Sequence, residues 1–359
     1  MTRTAPRAHR LRLTAAVLSG ALLLGACGSS DSGSDSSSKG DSSTTAASGS
    51  DGDSGDAFPV TVEHKYGETT IDEKPERIVT AGLTDQDVVL ALGEVPVATT
   101  EWFGEQEGAL WPWAQEQLQS LDGETPEVLD ATDGPNIEAI AAQKPDLITA
   151  MYTDLSKSDY EKLSQIAPVI TQSDGYVDYG IGWEEMTTTV GKALGKEDEA
   201  EALVDELDEQ LDAVVTDNPE FDGAQAFVAT PYEGIFVYGP QDPRGRFLTR
   251  LGFTLPDGLV EATGEEFGGN LSEENAGLLD GDLVIWLDKD DAEGPLGGPA
   301  YATFPVHTEG REIFLDSYGD PLGAATSFIT PLSIPFLLDG LVPKMAAAID
   351  GDTSTTVPE

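Results

Sequence analysis

Apolar positions from residue 58 onward form two kinds of pattern. Short continuous apolar runs indicate buried strands, and apolar residues spaced three and four apart indicate helices. The predicted strands lie at 77–80, 95–98, 147–150, 166–170, 226–229, 235–238 and 283–287. The predicted helices lie at 85–92, 137–143, 183–217, 247–251 and 332–349. Because strands alternate with helices, the pattern predicts βαβ units and a mostly parallel sheet.

The longest helical segment, 183–217, divides this alternation into two halves. An apolar stripe marks its second part and consists of Leu203, Leu207, Leu211 and Val214. We expect a break near Gly195 and an end at Asn218-Pro219, since glycine and proline interrupt helices. The predicted order is therefore an α/β lobe, a long helical link and a second α/β lobe.

The N-terminus has the pattern of an export signal. A basic region holds Arg3, Arg7, Arg10 and Arg12, and an apolar core follows at 13–24. That core is shorter than the about 20 apolar residues of a membrane span, which favours a signal peptide over 1–26. The string Leu24-Gly25-Ala26-Cys27 resembles a bacterial lipobox. It predicts a lipid on Cys27, which would hold the protein in the lipid bilayer, on the outer face of the cytoplasmic membrane; the alternative is an ordinary secretory signal with a chance cysteine.

Segment 27–56 is composed almost entirely of Ser, Gly, Asp, Thr and Ala. It has little to bury, so we expect a disordered tether with a reach on the order of 30 Å. Gly52-Asp53-Ser54-Gly55 resembles the surroundings of a trypsin-like nucleophile, but it lies in low-complexity sequence without a strand pattern. We therefore do not predict a protease. The tail 351–359 is also expected to be disordered.

Charge and chemistry exclude several classes of function. The 359 residues include 66 acidic and 19 basic ones, for a net charge of -47, which disfavours nucleic acid as a partner. Beyond the signal peptide only His64 and His307 remain, so a zinc or manganese site is not expected. The sequence has no HExxH, GxSxG, Walker lysine loop or dinucleotide glycine motif. We expect no enzyme activity, no metal site and no cofactor.

The two halves share a local motif. Glu138 precedes Asp146 by the same interval at which Glu274 precedes Asp282. Both glutamates follow a good N-cap residue, namely Asn136 and Ser272. Acids near a helix N-terminus also favour the helix dipole by about 0.3–1 kcal/mol, and this alone could explain them. Two equivalent acids in two lobes nevertheless suggest a shared role.

Several motifs together resemble a known family, the substrate-binding lipoproteins of iron–siderophore ABC transporters. They are the lipobox and tether, Ala91-Leu92-Gly93-Glu94-Val95-Pro96-Val97-Ala98, Pro135-Asn136-Ile137-Glu138, Lys144-Pro145-Asp146-Leu147-Ile148 and Ile166-Ala167-Pro168-Val169. The resemblance covers 58–349 and implies two Rossmann-like lobes joined by one long helix, with a ligand cleft between them. It places the lobes at 57–182 and 220–350 and the linking helices at 183–219. Cobalamin- and haem-capturing members share these motifs, so those ligands remain alternatives.

The same resemblance implies partners and a docking mode. The expected ligand is a ferric siderophore, and the expected protein partners are the subunits of an ABC permease. The protein itself is expected to be a monomer. One glutamate on each lobe would dock on permease arginines. The matching positions are Glu138 and Glu274, with Glu273 as a neighbouring candidate.

Ligands of open α/β sheets sit beyond the carboxyl ends of the strands. The aromatic candidates near such ends are Trp102, Phe103, Tyr152, Tyr232 and Trp286. Each could equally be a core residue. Arg244, Arg246 and Arg311 are the candidates for binding anionic chelate oxygens, or else surface arginines paired with acids.

So few basic residues favour a neutral or weakly charged ligand, such as a ferric hydroxamate, over a highly charged catecholate. A surface adhesin is the alternative from another class, because it would share the anchor and the tether but need no cleft.

Overall fold

The computed structural model describes residues 57–132, 134–264, 266–292 and 296–352. The signal peptide, Cys27, the tether with its Gly52–Gly55 string, and residues 353–359 of the tail lie outside the described residues. Within the described part, no helix combines the length and the apolar character needed to cross a membrane.

The first lobe begins with a hairpin and continues as a parallel α/β unit. Its strands are β1 (Val60–His64), β2 (Gly67–Ile71), β3 (Ile78–Thr80), β4 (Ala98–Thr100), β5 (Glu127–Leu129), β6 (Leu147–Ala150) and β7 (Val169–Thr171). Its helices are α1 (Asp85–Ala91), α2 (Pro112–Ser120), α3 (Ile137–Ala142) and α4 (Lys157–Leu163). The main sheet has the order β5-β4-β3-β6-β7 and is parallel throughout, as the alternation predicted.

The second lobe follows the linking helices α5 (Trp183–Ala193) and α6 (Glu197–Asp217). Its strands are β8 (Ala226–Thr230), β9 (Phe236–Tyr238), β10 (Gly268–Asn270), β11 (Leu283–Leu287) and β12 (Glu312–Leu315). Its helices are α7 (Pro243–Arg250), α8 (Leu259–Thr263), α9 (Gly298–Tyr301), α10 (Pro305–Thr308), α11 (Pro321–Phe328), α12 (Ser333–Gly340) and α13 (Val342–Ile349). The sheet order is β10-β9-β8-β11-β12, with β8, β11 and β12 parallel and β9 antiparallel to both of its neighbours.

The link between the lobes is two helices rather than one. It breaks at Gly195, whose φ of +68° is a conformation that favours glycine. A Cβ there would also lie 2.7 Å from the Phe58 ring. Leu207 and Leu211 of the predicted stripe are buried in a core cluster with second-lobe residues, so the stripe is the face that packs.

The shared motif of the two lobes has a structural basis at its aspartates. The Asp146 carboxylate accepts the backbone N–H groups of Glu76 and Arg77, just before β3. Asp282 accepts the N–H of Gln225, just before β8. In each lobe the aspartate thus ties the start of one strand to the start of its parallel neighbour.

The helix starts of the motif differ between the lobes. In α3 the Asn136 side chain accepts the N–H of Ala139 at 3.1 Å and caps the helix as predicted. Ser272 makes no side-chain capping bond, and the segment after it is a 3₁₀ helix, Glu273–Leu279. The predicted helix therefore does begin after Ser272, but it is a 3₁₀ helix, and the Ser272 side chain does not cap it.

Candidate functional site: an aromatic cavity at the cleft

A cavity of about 1300 Å³ opens at the carboxyl ends of the parallel strands of the second sheet. Thr230 ends β8, Asp288 follows β11 and Tyr318 follows β12, and all three line the cavity. This is the edge at which open α/β sheets bind ligands. The volume exceeds the about 300–1,000 Å³ of common small-molecule pockets, so it suits a bulky ligand.

Aromatic side chains form much of the cavity wall. They are Tyr232, Phe236, Tyr238, Phe267 and Tyr318. Tyr232 is 63% exposed and Tyr318 is 61% exposed, which is unusual for rings of this size beside other rings. Exposed aromatic surface inside a concavity is typical of a site that a ligand covers.

Aromatic residues of the first lobe meet this wall across the cleft. The ring of Phe103 lies 5.6 Å from that of Tyr318, and the ring of Tyr179 lies 6.2 Å from that of Phe267. Trp102 follows β4 and lies 5.6 Å from Phe328 of α11. The cavity therefore sits on the second-lobe side of the cleft, next to an aromatic cluster shared by both lobes.

Of the residues predicted from the sequence, Tyr232 lines the cavity, and Trp102, Phe103 and Tyr152 belong to the shared cluster. Tyr152 is buried, with its ring 5.5 Å from that of Trp102. Burial raises the pKa of the Tyr152 phenol, so its hydroxyl stays protonated. Tyr152 is thus a hydrogen-bonding group inside an apolar cluster rather than a charged one.

Arg244 is only 4% exposed and does not line the cavity; it lies behind the wall, against the cavity-lining Tyr238. Its Nη1 contacts both Asp242 carboxylate oxygens at 3.0 and 3.1 Å, and its guanidinium lies 4.1 Å from the ring centre of Tyr238. Burial opposes its charge, but the Asp242 carboxylate overcomes this and raises the pKa of Arg244. Its Nε has no hydrogen-bond partner within the described residues. The helix predicted from the sequence begins only at residue 247, whereas in the structure Asp242 caps α7 and Arg244 lies in its first turn.

Arg246 also lies on α7, and the structure corrects its predicted place. Its Nη1 donates to the Gly180 carbonyl of the first lobe, and its guanidinium lies 4.8 Å from the Tyr176 ring centre. It does not line the cavity. Arg246 is therefore a contact between the lobes, because two positions after Arg244 the side chain points to the other side of α7, toward Gly180 and Tyr176 of the first lobe.

Trp286 and Arg311 are corrected as well, since both lie away from the cavity. Trp286 is 0% exposed in the middle of the sheet, and its Nε1 donates to Tyr301 Oη and Glu312 Oε1 at 3.0 Å. Arg311 precedes β12, at the amino edge of the sheet, where it donates to the Gly281 and Asp282 carbonyls. Trp286 does not reach the site because it is buried in a central strand, and Arg311 does not because it lies at the opposite edge of the sheet.

The charged residues that line the cavity are acidic: Glu233, Glu273, Asp288 and Asp291. Asp288 is partly buried, and burial raises its pKa, with the nearby Asp316 and Asp291 acting in the same direction. No group of three or more His, Cys, Asp or Glu among the described residues is arranged to hold a metal ion.

The predicted docking glutamates lie at the surface. Glu138 is exposed in the first turn of α3, and Glu274 is exposed in the 3₁₀ helix after Ser272. The neighbouring candidate Glu273 instead lines the cavity. Of the two adjacent acids, Glu274 is therefore the one directed away from it.

A two-lobed α/β body with an aromatic cavity at its cleft is typical of a ligand-binding protein. The model of the periplasmic binding protein family matches residues 78–310, more than half of the chain. The chain belongs to this family, which is a non-enzymatic ligand-binding class.

Relatives and solved structures agree with this membership. The ferric enterobactin-binding periplasmic protein FepB of Escherichia coli is 29% identical over 299 residues, which is 73% of this chain and 87% of FepB. A periplasmic solute binding protein from Mycobacterium smegmatis is 36% identical, with a TM-score of 0.68 over 81% of this chain and 98% of its own. Streptococcus pneumoniae PiaA, solved with ferrichrome, is 29% identical, with a TM-score of 0.71 over 81% of this chain and 99% of its own.

Proposed function

We propose that this protein is the substrate-binding component of an ABC importer, and that it captures a ferric siderophore and delivers it to a membrane permease. The observation that carries the proposal is the aromatic cavity of about 1300 Å³ at the carboxyl edge of the second sheet. The family membership and the iron chelates named for FepB and PiaA support it.

The cavity chemistry suits an iron chelate. Aromatic rings such as Tyr232 and Tyr318 offer rigid apolar walls for the organic shell of the siderophore. The iron is cargo that the siderophore itself coordinates, so the protein needs no metal ligands of its own.

Anchoring and docking complete the proposal. Cys27 would carry the lipid that holds the protein on the outer face of the cytoplasmic membrane, and the polar tether would let a monomeric body reach the permease. Glu138 and Glu274, one on each lobe, would pair with permease arginines.

Fluorescence titration tests the proposed ligand. The ring centre of Trp102 lies 4.8 Å from that of Phe103 and 5.5 Å from that of Tyr152, within the aromatic cluster at the cleft. A coloured chelate bound at the cleft should therefore quench the Trp102 fluorescence. We expect quenching at micromolar ferric siderophore, and none with free iron, zinc or manganese. A response to free metal alone, to haem alone or to cobalamin alone would refute the ligand class.

A pair of variants locates the binding. Tyr232→Ala should weaken chelate affinity and leave folding intact, because the ring is mostly exposed. Phe336→Ala on α12 removes another partly exposed ring that does not line the cavity, and it should leave affinity unchanged.

A further inference from the structure

The cavity has a marked imbalance of charge. Four carboxylates line it, and none of its described lining residues is Lys, Arg or His. Acids are common throughout this chain, at 66 of 359 residues, so four acids at one cavity are not unusual by their number. The informative feature is that no Lys, Arg or His stands among the described lining residues to balance them. With no cation on its wall, the cavity holds a negative potential that low-dielectric aromatic walls strengthen.

The basic side chains nearby are already engaged. Arg244 is paired with Asp242, and Arg246 donates to the Gly180 carbonyl. Lys289 lies 4.7 Å from the ring centre of Phe314, in a neighbouring recess. The lining carboxylates would therefore repel an anionic ligand in the cavity, and no described lining residue carries a positive charge to attract it.

The acids stand beside the exposed rings. Glu233 directly follows Tyr232, and Asp288, Asp291 and Tyr318 line both the cavity and the neighbouring recess. Aromatic faces attract cations, and a nearby carboxylate adds to that attraction. Arg244 does not balance these acids from the cavity wall, because it lies behind the Tyr238 ring and is paired with Asp242.

We infer that the cavity selects iron chelates carrying a cationic group, with a protonated amine arm against the rim of Tyr232, Glu233 and Asp291. A hydroxamate siderophore with an ammonium arm fits this description. A triply anionic tricatecholate does not, because it would meet four carboxylates. The inference rests on the proposed function and names the ligand class of the same site.

A matched pair of ligands isolates the cationic group. Ferrioxamine B has a terminal ammonium, and its N-acetylated form keeps the same iron core without that charge. Calorimetric titration should give about tenfold tighter binding of the ammonium form at low salt, and the difference should shrink as salt increases. Ferric enterobactin, a trianion, should bind more weakly than either.

Variants then assign the preference to the rim. Glu233→Gln combined with Asp291→Asn should reduce the ratio between the two forms toward one. The control, Glu199→Gln combined with Glu209→Gln, removes the same charge from exposed positions on α6 and should keep the ratio. Equal binding of both forms, or tighter binding of enterobactin, would overturn the charge inference while the proposed function stands. If the folded protein binds no ferric chelate at all, the proposed function fails, and this inference fails with it.

Discussion

Asp87 offers the sharpest test of how the lobes are held together. It lies on α1 of the first lobe, fully buried, and its Oδ2 accepts hydrogen bonds from Trp113 Nε1 at 2.7 Å and from Thr330 Oγ1 at 2.6 Å. Thr330 follows α11 of the second lobe, so this bond joins the lobes. Asp87 Oδ1 has no partner within the described residues.

Burial raises the pKa of Asp87 from 3.8 to about 7, although the bonds from Thr330 and Trp113 oppose the shift. Between these two values the folded protein binds more protons at Asp87 than the unfolded chain does. The free energy of unfolding therefore falls as pH rises from about 4 to about 7, and the loss totals about 4 kcal/mol. Above pH about 7 this contribution is constant.

The substitution Asp87→Asn keeps the shape and removes the charge. We expect wild type to lose about 3 kcal/mol of unfolding free energy relative to Asp87→Asn between pH 5 and pH 8, since about two pKa units of the shift lie in that interval. Urea unfolding followed by tryptophan fluorescence at several pH values measures the difference. Asp205→Asn, at an exposed position on α6, is the control, and its free energy of unfolding should change with pH as that of wild type does. If the unfolding free energies of Asp87→Asn and wild type also change with pH in the same way, the buried carboxylate does not titrate as argued.

Two further predictions concern delivery. Cys27→Ala should give a folded protein that no longer fractionates with membranes, and continued membrane association would contradict the lipid anchor. Replacing Glu138 and Glu274 by Ala should cost only about 0.3–1 kcal/mol of stability each, the size of a helix-end charge effect, and should leave chelate affinity unchanged. Uptake of radiolabelled iron should fall sharply in cells with either variant and further with both, because a truncated interfacial charge pair costs about 2–5 kcal/mol. Normal iron uptake with both glutamates replaced would refute the docking role and leave only their effect on the helix ends.

Strong local patterns allowed much of the fold to be predicted. β3, β6, β8 and β11 are short apolar runs, and all four are strands near their predicted positions. The break at Gly195 follows from the residue type. Strands without such a run escaped prediction: β10 is Gly268-Gly269-Asn270, and a Cβ on Gly268 would lie 2.5 Å from the Val237 carbonyl oxygen, so close packing rather than hydrophobicity defines it.

The site was harder to predict for the same reason. Phe267 and Tyr318 adjoin β10 and β12, and since neither strand was predicted, no sheet edge pointed to these two rings. Trp286 lies in a strand that is buried on both faces, where an apolar run does not reveal which side chain meets a ligand.

The helical position of Arg244 could have been predicted. Asp242 followed by Pro243 is a good signal for a helix start, with the acid as N-cap and the proline in the first turn. That signal would have placed the arginine on α7, next to its capping carboxylate.

Equilibrium dialysis of the purified protein against radiolabelled ferric siderophore tests the central claim most directly. The account predicts that wild type retains about one iron chelate per chain, that Tyr232→Ala retains less at the same free concentration, and that unlabelled chelate displaces the label whereas free zinc does not. Retention of free iron without siderophore, or no retention of any ferric chelate by the folded protein, would contradict it.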